Sequence, residues 1–240
     1  QKGAKEIVFL GQNVNAYNDK SNNNDAKLSD LIRAISEFDS VKRIRYTTSH
    51  PINMDEELIQ EHKNNMKLMP FLHLPVQSGS ESILKKMNRK YDPDFYRRTI
   101  DRLKKAKPDI EISSDFIVGY PGETDQDFND TLKLIDDIEF TQSYSFIYSS
   151  RPGTKSSTEA DSTPISVKKE RLLVLQEKLK KIQYSFNNEF CNKTVKVLIE
   201  NQSSSNPEYF FGRTPFMQSV YIKSNDLVPG NEKDIDITSC

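Results

Sequence analysis

Amide and hydroxyl side chains dominate the positions at and just after the apolar, strand-like runs of this sequence, joined by one histidine, one aspartate and one arginine. These residues are Gln12, Asn13, Asn15, Ser49, His50, Gln77, Ser78, Ser113, Ser114, Asp115 and Arg151. Such groups hold a polar, nucleoside-like ligand by hydrogen bonds. No carboxylate pair, Ser-His-Asp arrangement, metal-ligand spacing or phosphate-binding glycine loop accompanies them. The sequence therefore predicts a ligand-binding site without an assigned catalytic side chain or metal ligand.

Five of the eight glycines also follow strand-like runs: Gly11, Gly79, Gly119, Gly122 and Gly153. Glycine allows a ligand to approach the backbone closely, which favours a binding site at these positions. Ordinary turns between strands and helices are the alternative interpretation.

Strand and helix patterns alternate through the first 150 residues, and they supply the scaffold for these side chains. Strands are predicted at 7–10, 43–49, 71–77, 110–119 and 140–149, and helices at 29–38 (capped by Ser29), 55–65, 80–87, 93–107 and 124–138. Alternation of this kind predicts an α/β fold with a parallel sheet, whose ligands bind at the carboxyl ends of the strands. The Asn-rich stretch 18–25 is interpreted as a solvated loop. Periodicity leaves open whether the sheet is open or closes as a barrel.

The last third of the chain changes character. Residues 151–165 are predicted to form a loop or lid, and 166–190 a long amphipathic helix with Leu172, Leu175, Leu179 and Ile182 on one stripe. From residue 193, β-branched alternation is interrupted by turn signals at 203–207, Gly212 and 229–230, which predicts a small all-β barrel. The predicted organisation is a core at 1–165, a linking helix at 166–192 and a β module at 193–240.

Charge and hydropathy exclude two classes of protein. The 34 Lys and Arg residues balance 35 Asp and Glu residues, so the chain is not a uniformly basic nucleic-acid binder. The mean hydropathy is −0.70 and no apolar run reaches membrane-spanning length. Charge is nevertheless uneven: 85–107 holds ten basic residues against three acidic ones, and 166–200 holds eight against four. These segments form either solvated helix faces or a surface for RNA phosphates.

The two cysteines, Cys191 and Cys240, lie too far apart to suggest a disulfide scaffold or a Cys-rich metal site, and we expect reduced thiols without a role. His62 lies mid-helix among charged residues and is expected at the surface. His73 lies on an apolar strand and is expected to be a hydrogen-bonded core residue. Because the chain begins without Met and in mid-pattern, we interpret it as an interior piece of a longer protein.

Five motifs, in order, resemble the radical S-adenosylmethionine (SAM) methylthiotransferases. They are residues 10–17 (LGQNVNAY), 47–51 (TTSHP), 71–80 (FLHLPVQSGS), 113–124 (SSDFIVGYPGET) and 144–154 (YSFIYSSRPGT). The resemblance implies a partial (βα)6 radical SAM barrel that lacks its first strand, followed by a truncated, RNA-binding β barrel of the TRAM type.

The activity implied by this resemblance is that of a cytoplasmic tRNA methylthiotransferase. Such an enzyme adds a methylthio group to C2 of isopentenyladenosine next to the anticodon, using SAM and two [4Fe–4S] clusters. One cluster cleaves SAM to a 5′-deoxyadenosyl radical, and sulfur is delivered at the other. The implied partners are the tRNA anticodon loop, SAM and an electron donor for the cluster, with no membrane involved.

The resemblance also assigns residues. It places Gln12 and Asn13 near the methionine end of SAM, Gln77 and Ser78 near the ribose, and Val118 and Gly119 on the adenine side. Ser114 and Arg151 are further candidates for contact with SAM or substrate. In the β module, Lys196, Arg213 and Lys223 are candidates for contact with tRNA phosphates.

This sequence departs from the family not only in the missing first strand and the truncated β barrel but also in its cysteines, because none of the six cluster-binding cysteines is present. We therefore expect the chain alone to bind no iron–sulfur cluster and to have no turnover. Two enzyme alternatives are relatives that act on threonylcarbamoyladenosine or on a ribosomal protein. The stretches 12–15 and 47–51 favour the isopentenyladenosine enzyme. An alternative from another class is a non-catalytic RNA-binding scaffold built on a degenerate barrel.

Overall fold

A computed structural model describes residues 3–21, 25–153 and 163–240. The strands in these ranges are β1 Glu6–Phe9, β2 Asn18–Asp19, β3 Ala26–Lys27, β4 Arg43–Tyr46, β5 Phe71–His73, β6 Glu111–Val118, β7 Gln142–Ile147, β8 Thr194–Gln202, β9 Tyr209–Arg213, β10 Ser219–Lys223 and β11 Glu232–Asp236. The helices are α1 Leu28–Ser36, α2 Glu56–Asn64, α3 Glu81–Lys86, α4 Pro93–Ala106, α5 Asp125–Ile138 and α6 Ile165–Asn188. Within the described residues, none of the helices combines the length and apolar character needed to cross a membrane.

Parallel strands alternate with helices, so the α/β class is confirmed. β1 pairs with β4, and β5, β6 and β7 pair in that order, all in parallel. A parallel bridge between Ile44 and Leu68 joins the two groups. Apolar side chains from these strands and from α1 to α6 form one buried core, which includes Leu175 and Leu179 of the predicted α6 stripe.

The alternation of burial along β6 shows what each face of the sheet contacts. Residues 112, 114, 116 and 118 are buried on the helix side, whereas 115 and 117 are only half-buried. β7 pairs in register, so that Asp115 lies beside Tyr144 and Ile117 beside Phe146. We call the side that carries these four residues the cleft face. It is the face available to a ligand.

Two local predictions were wrong. The chain enters α1 directly from β3, so Lys27 is the N-cap and its N–H donates to Asp30 Oδ2 at 2.9 Å, which leaves Ser29 inside the helix. Part of the Asn-rich stretch is a short antiparallel pair, β2 with β3, rather than only loop; residues 22–24 lie outside the described part. Most of the predicted lid at 151–165 also lies outside it, at 154–162.

The C-terminal residues form a four-stranded antiparallel sheet in the order β10-β9-β8-β11, with its own apolar core around Val197 and Phe210. Gly212 was predicted to mark a turn, but it lies inside β9. A Cβ there would lie 2.5 Å from Val197 Cγ1 and 2.6 Å from the Leu198 carbonyl oxygen. Glycine is therefore required at this position by close packing between strands.

Contacts with β4 and with the end of α6 attach this β module to the rest of the chain. Arg43 of β4 is fully buried and donates to Glu232 Oε1 at 2.7 Å and to the carbonyl oxygen of Arg213 at 2.8 Å. At the end of α6, the rings of Phe186 and Phe190 pack on Phe216 of the module. The module is thus held against both the sheet and α6.

The prediction of two free thiols was wrong, because Cys191 and Cys240 form a disulfide. β11 runs antiparallel to β8 and returns the chain end to the start of the module. There the Asn192 N–H donates to the Ile237 carbonyl at 2.7 Å, and the two cysteine Cα atoms lie 6.2 Å apart. Sequence separation alone does not reveal this return.

His62 is buried, not exposed as predicted. Its Nε2 lies 2.5 Å from the Tyr46 hydroxyl, while Nδ1 has no hydrogen-bond partner. Burial, together with the charge of Lys107, lowers the pKa of His62 to about 3. Lys63 is exposed, whereas Glu61 is also buried and pairs with Arg33 of α1, and the imidazole points into the core.

Candidate functional site

A cavity of about 510 Å³ lies at the carboxyl ends of β6 and β7 and at the chain that follows β5. Its lining includes Gln77, Asp115, Ile117, Phe146, Tyr148 and Arg151. The volume is in the range of small-molecule sites, and the lining combines apolar surface with a few polar groups. The predicted site residues Gln77 and Arg151 therefore come together, at the edge of the sheet where a parallel α/β fold binds ligands.

Gln77 has an unusual backbone conformation, with φ of 75°. Its N–H donates to the Asp115 carbonyl and its own carbonyl accepts from the Ile117 N–H, both at 2.9 Å. These two bonds hold a left-handed conformation that costs a non-glycine residue free energy. The backbone of β6 therefore determines where the Gln77 side chain enters the cavity.

The structure does not bring Ser78 and Ser114 to the cavity, because both side chains are fully buried elsewhere. The Ser78 hydroxyl lies 3.3 Å from the Thr131 hydroxyl of α5. The Ser114 hydroxyl accepts from the Val76 N–H at 3.0 Å, on the helix side of β6. Val118 is also buried on that side, and neither it nor Gly119 lines the cavity.

Gln12 and Asn13 lie near the end of β1 and do not line this cavity. Both are exposed, and the Asn13 amide donates to Asn53 Oδ1 at 3.0 Å. Nearby, Asn15 donates to the His50 carbonyl at 3.0 Å and accepts from the His50 N–H at 2.8 Å. This two-bond clamp joins the loops after β1 and β4.

Sequence reasoning did not single out Phe146, and it did not separate Asp115 and Ile117 from their neighbours on β6. Their odd-numbered alternation on β6 and the large exposed aromatics of β7 are the signals that could have identified them. His73 also lies on this face, half-buried, with Nδ1 2.9 Å from the Ser113 hydroxyl and Nε2 3.6 Å from Asp115 Oδ2. Its predicted hydrogen bonding is confirmed, although its ring lines the cleft.

The glycines near the site are constrained by the protein itself. A Cβ at Gly79 would lie 2.5 Å from the Asp130 carbonyl oxygen of α5. Gly119 and Gly122 have positive φ, and a Cβ at Gly119 would lie 2.6 Å from Lys168 Cγ. At these three positions the turn interpretation is sufficient.

The three candidate RNA contacts lie on the β module. Lys196 is exposed. Arg213 stacks 5.6 Å above the Phe211 ring and forms an ion pair with Glu200 at 3.4 Å. Lys223 forms an ion pair with Glu208 at 3.2 Å. By contrast, some of the basic side chains at 85–107 form ion pairs with acidic side chains nearby. These pairs include Arg97 with Asp94 and Asp137, and Arg102 with Glu56.

The residues present do not fit an iron–sulfur cluster. The two cysteines of the sequence are bonded to each other beside the end of α6. Across residues 3–21, 25–153 and 163–240, no three His, Cys, Asp or Glu side chains are grouped closely enough to hold a metal ion.

Comparison with known proteins decides the family. Residues 1–135, more than half of the chain, match the radical SAM superfamily. This chain belongs to the radical SAM superfamily. The fold agrees, since coproporphyrinogen III oxidase of Escherichia coli, described as a radical SAM enzyme, superposes with a TM-score of 0.59 at 13% identity. The match covers 88% of this radical SAM chain and 54% of the oxidase.

Closer relatives share the name tRNA-2-methylthio-N(6)-dimethylallyladenosine synthase. The protein from Rickettsia bellii (strain OSU 85-389) is 53% identical over 238 residues, which cover 98% of this radical SAM chain and 53% of the relative. The protein from Rickettsia canadensis (strain McKiel) is 51% identical over 225 residues, covering 93% and 50%. The chain thus spans about half the length of the curated relatives it matches.

Proposed function

We propose that this chain is the SAM-binding and RNA-binding part of a tRNA methylthiotransferase. Its reaction is the transfer of a methylthio group to C2 of N6-isopentenyladenosine beside the anticodon. The observation that carries the proposal is 53% identity, over 98% of the chain, to a relative named tRNA-2-methylthio-N(6)-dimethylallyladenosine synthase.

The cavity at the end of β6 supports the SAM part of the proposal. Ile117 and Phe146 provide apolar surface for an adenine ring, and Gln77 and Arg151 provide polar groups beside it. SAM supplies the 5′-deoxyadenosyl radical and the methyl group of the reaction. The residues of this chain would bind the adenosyl part and orient it along the cleft face.

The finer architecture follows from the same proposal. The five parallel strands correspond to a partial radical SAM barrel without its first strand, and the antiparallel sheet to a TRAM-like module. We propose domain boundaries at 1–165, 166–192 and 193–240. Lys196, Arg213 and Lys223 would bind tRNA phosphates, and both [4Fe–4S] clusters would be held by segments present in the relatives and absent here. An electron donor and a cytoplasmic location complete the proposal.

A chimera tests the reaction directly. The segment of the Rickettsia bellii relative that precedes the matched region is fused to this chain and expressed in a bacterium lacking its own methylthiotransferase. We expect mass spectrometry of tRNA nucleosides to show 2-methylthio-N6-isopentenyladenosine. Isopentenyladenosine left unmodified, with both clusters present in the purified chimera, would contradict the proposal. Modified threonylcarbamoyladenosine would identify the other tRNA-acting relative instead.

The cavity is tested in the same chimera with Phe146→Ala and a matched change, Phe38→Ala. Both rings are more than half exposed, but Phe38 lies on the loop after α1, outside the cavity. We expect Phe146→Ala to raise the KM for SAM about tenfold, since it removes most of one aromatic contact surface. Phe38→Ala should leave KM unchanged, and equal effects of the two changes would refute the cavity assignment.

A further inference from the structure

The turn between β6 and α5, residues 119–124, closes on a buried carboxylate. We call this segment the β6–α5 turn. The Gly119 N–H donates to Glu123 Oε2 at 2.8 Å, and the Glu123 N–H donates to the Tyr120 carbonyl at 2.9 Å. The turn begins directly after Ile117 and Val118, so its position determines where the end of β6 meets the cavity. The Val118 carbonyl also accepts from the Tyr148 N–H at 2.9 Å, which links this end to the opposite wall.

The Glu123 carboxylate is almost completely buried, with 1% of its side chain exposed. Burial raises the pKa of Glu123 above its usual value, although the hydrogen bonds from Gly119 and Arg171 act in the opposite direction and lower the pKa. A buried carboxylate needs a charged or hydrogen-bonding partner to remain ionised in the core. The partner comes from a distant part of the chain.

Arg171, in the first half of α6, supplies that partner. Its Nη1 donates to Glu123 Oε2 at 2.7 Å and to the Glu123 carbonyl oxygen at 3.1 Å. Its Nη2 donates to Asp125 Oδ1 at 2.7 Å, at the first residue of α5. The guanidinium also lies 5.7 Å above the Phe128 ring. One side chain therefore contacts both the end of the turn and the start of the following helix.

Lys168, one helical turn earlier on α6, reinforces the contact. Its aliphatic carbons cover Gly119 so closely that a Cβ there would lie 2.6 Å from Lys168 Cγ. From the other side, Lys86 Nζ of α3 donates to the Gly122 carbonyl at 3.3 Å. The turn is held between two helices, and Arg171 forms its ion pair with Glu123.

We propose that Arg171 is a positioning residue for SAM, which holds Glu123 on the Gly119 N–H and so fixes the end of β6 against the adenosyl group. This inference rests on the proposed function, in which the cavity beside β6 binds SAM. Without the guanidinium, Glu123 must take up a proton or leave the core, and both changes weaken its bond to Gly119. Lysine is a poor substitute, because one ammonium group does not reproduce the planar fork that reaches Glu123 and Asp125 together.

The test compares the wild-type chain with Arg171→Met, Arg171→Lys and a control on the same helix, Lys178→Met. Lys178 pairs with Asp136 at 2.5 Å in a more exposed position. Equilibrium dialysis measures the Kd for radiolabelled SAM, filter binding measures the Kd for tRNA, and hydrogen–deuterium exchange follows residues 119–124. All measurements are made at a temperature at which circular dichroism shows that the variants are folded. If Arg171→Met does not fold, the comparison is made with Arg171→Lys.

We expect Arg171→Met to raise the Kd for SAM at least about tenfold, since a misplacement of about 1 Å caused by a distant change can cost about a hundredfold. Hydrogen–deuterium exchange in the β6–α5 turn should be faster in Arg171→Met than in the wild type, and Arg171→Lys should be intermediate in both SAM affinity and exchange. The Kd for tRNA should stay at the wild-type value in both Arg171 variants. Lys178→Met should match the wild type in all three measurements.

Wild-type SAM affinity in both Arg171 variants would overturn the inference alone. Equal losses of SAM and tRNA affinity would show general destabilisation and would also overturn it. A wild-type chain that binds no SAM would refute the SAM part of the proposed function and this inference together. A wild-type chain that binds SAM but no tRNA would refute only the RNA part of the proposed function.

Discussion

The ion pair between Arg43 and Glu232 joins residues 189 positions apart in the chain and carries a quantitative prediction. The side chain of Arg43 is 1% exposed and that of Glu232 is 25% exposed. Removing one partner of a buried pair costs about 3–5 kcal/mol, because the other charge stays buried without compensation. Since water reaches Glu232 when Arg43 is gone, we expect Arg43→Met to lower the free energy of unfolding by about 3 kcal/mol, the lower end of that range.

A double-mutant cycle separates this pair from general packing effects. Urea unfolding, followed by far-ultraviolet circular dichroism, is measured for Arg43→Met, Glu232→Gln and the double variant. We expect a coupling energy of about 2 kcal/mol, since the partners are in direct contact. The control cycle uses Lys223 and Glu208 on the same module, which are 67% and 60% exposed and should couple by less than about 1 kcal/mol. Equal coupling in the two cycles would refute the assignment of Arg43 as the residue that docks the module.

Three further predictions concern the core, the turn before α3 and metal binding. Burial lowers the pKa of His62 from its ordinary value of 6.5 to about 3, so its contribution to stability is complete above pH 6.5 and is lost as the pH falls towards 3. Between pH 6 and 4, the free energy of unfolding should fall more steeply in the wild type than in His62→Gln, by about 1.4 kcal/mol per pH unit. Urea denaturation at a series of pH values measures this, and the same pH dependence in both proteins would contradict the prediction. Gly79→Ala should lower the free energy of unfolding by about 1–3 kcal/mol, because the added Cβ overpacks against Asp130 of α5. Gly11→Ala should be nearly neutral, since the nearest neighbour of a Cβ there lies 3.7 Å away. Similar urea midpoints for the two variants would refute the clash at Gly79. Anaerobic reconstitution with iron and sulfide should give no cluster absorbance, and a stoichiometry near one cluster per chain would contradict the expectation drawn from the missing cysteines.

Local signals predicted the helices and the order of the parallel strands well. Asp92 followed by Pro93 begins α4, and Thr124 caps α5 with a reciprocal contact to Asp127. These are interactions between residues three or four positions apart, which depend little on the rest of the fold. The apolar stripe of α6 was equally readable, because a period near 3.6 predicts which face is buried.

The errors concern residues whose surroundings come from distant parts of the chain. The charged neighbours of His62 in the sequence do not show that its ring meets Tyr46 of a strand. β9 was missed because Gly212 is typical of turns, and only the approach of Val197 from β8 explains a glycine there. Cys191 and Cys240 were taken for free thiols because the pairing of β8 with β11 is not visible in the spacing.

The sequence by itself determined that this is an α/β chain whose polar residues gather at the carboxyl ends of its strands, and its motifs identified the radical SAM resemblance. These conclusions need only periodicity, capping and residue order. The tertiary structure decided which of those residues face the cavity: Gln77 and Arg151 do, whereas Ser78 and Ser114 are turned into the helix layer. It also brought Arg171 to Glu123 and Arg43 to Glu232. Side-chain direction alternates along a strand, so a shift of one residue in register turns every side chain to the other face. Buried charges find their partners in distant segments. For these reasons neither the orientation of a strand side chain nor the partner of a buried charge follows from local sequence alone.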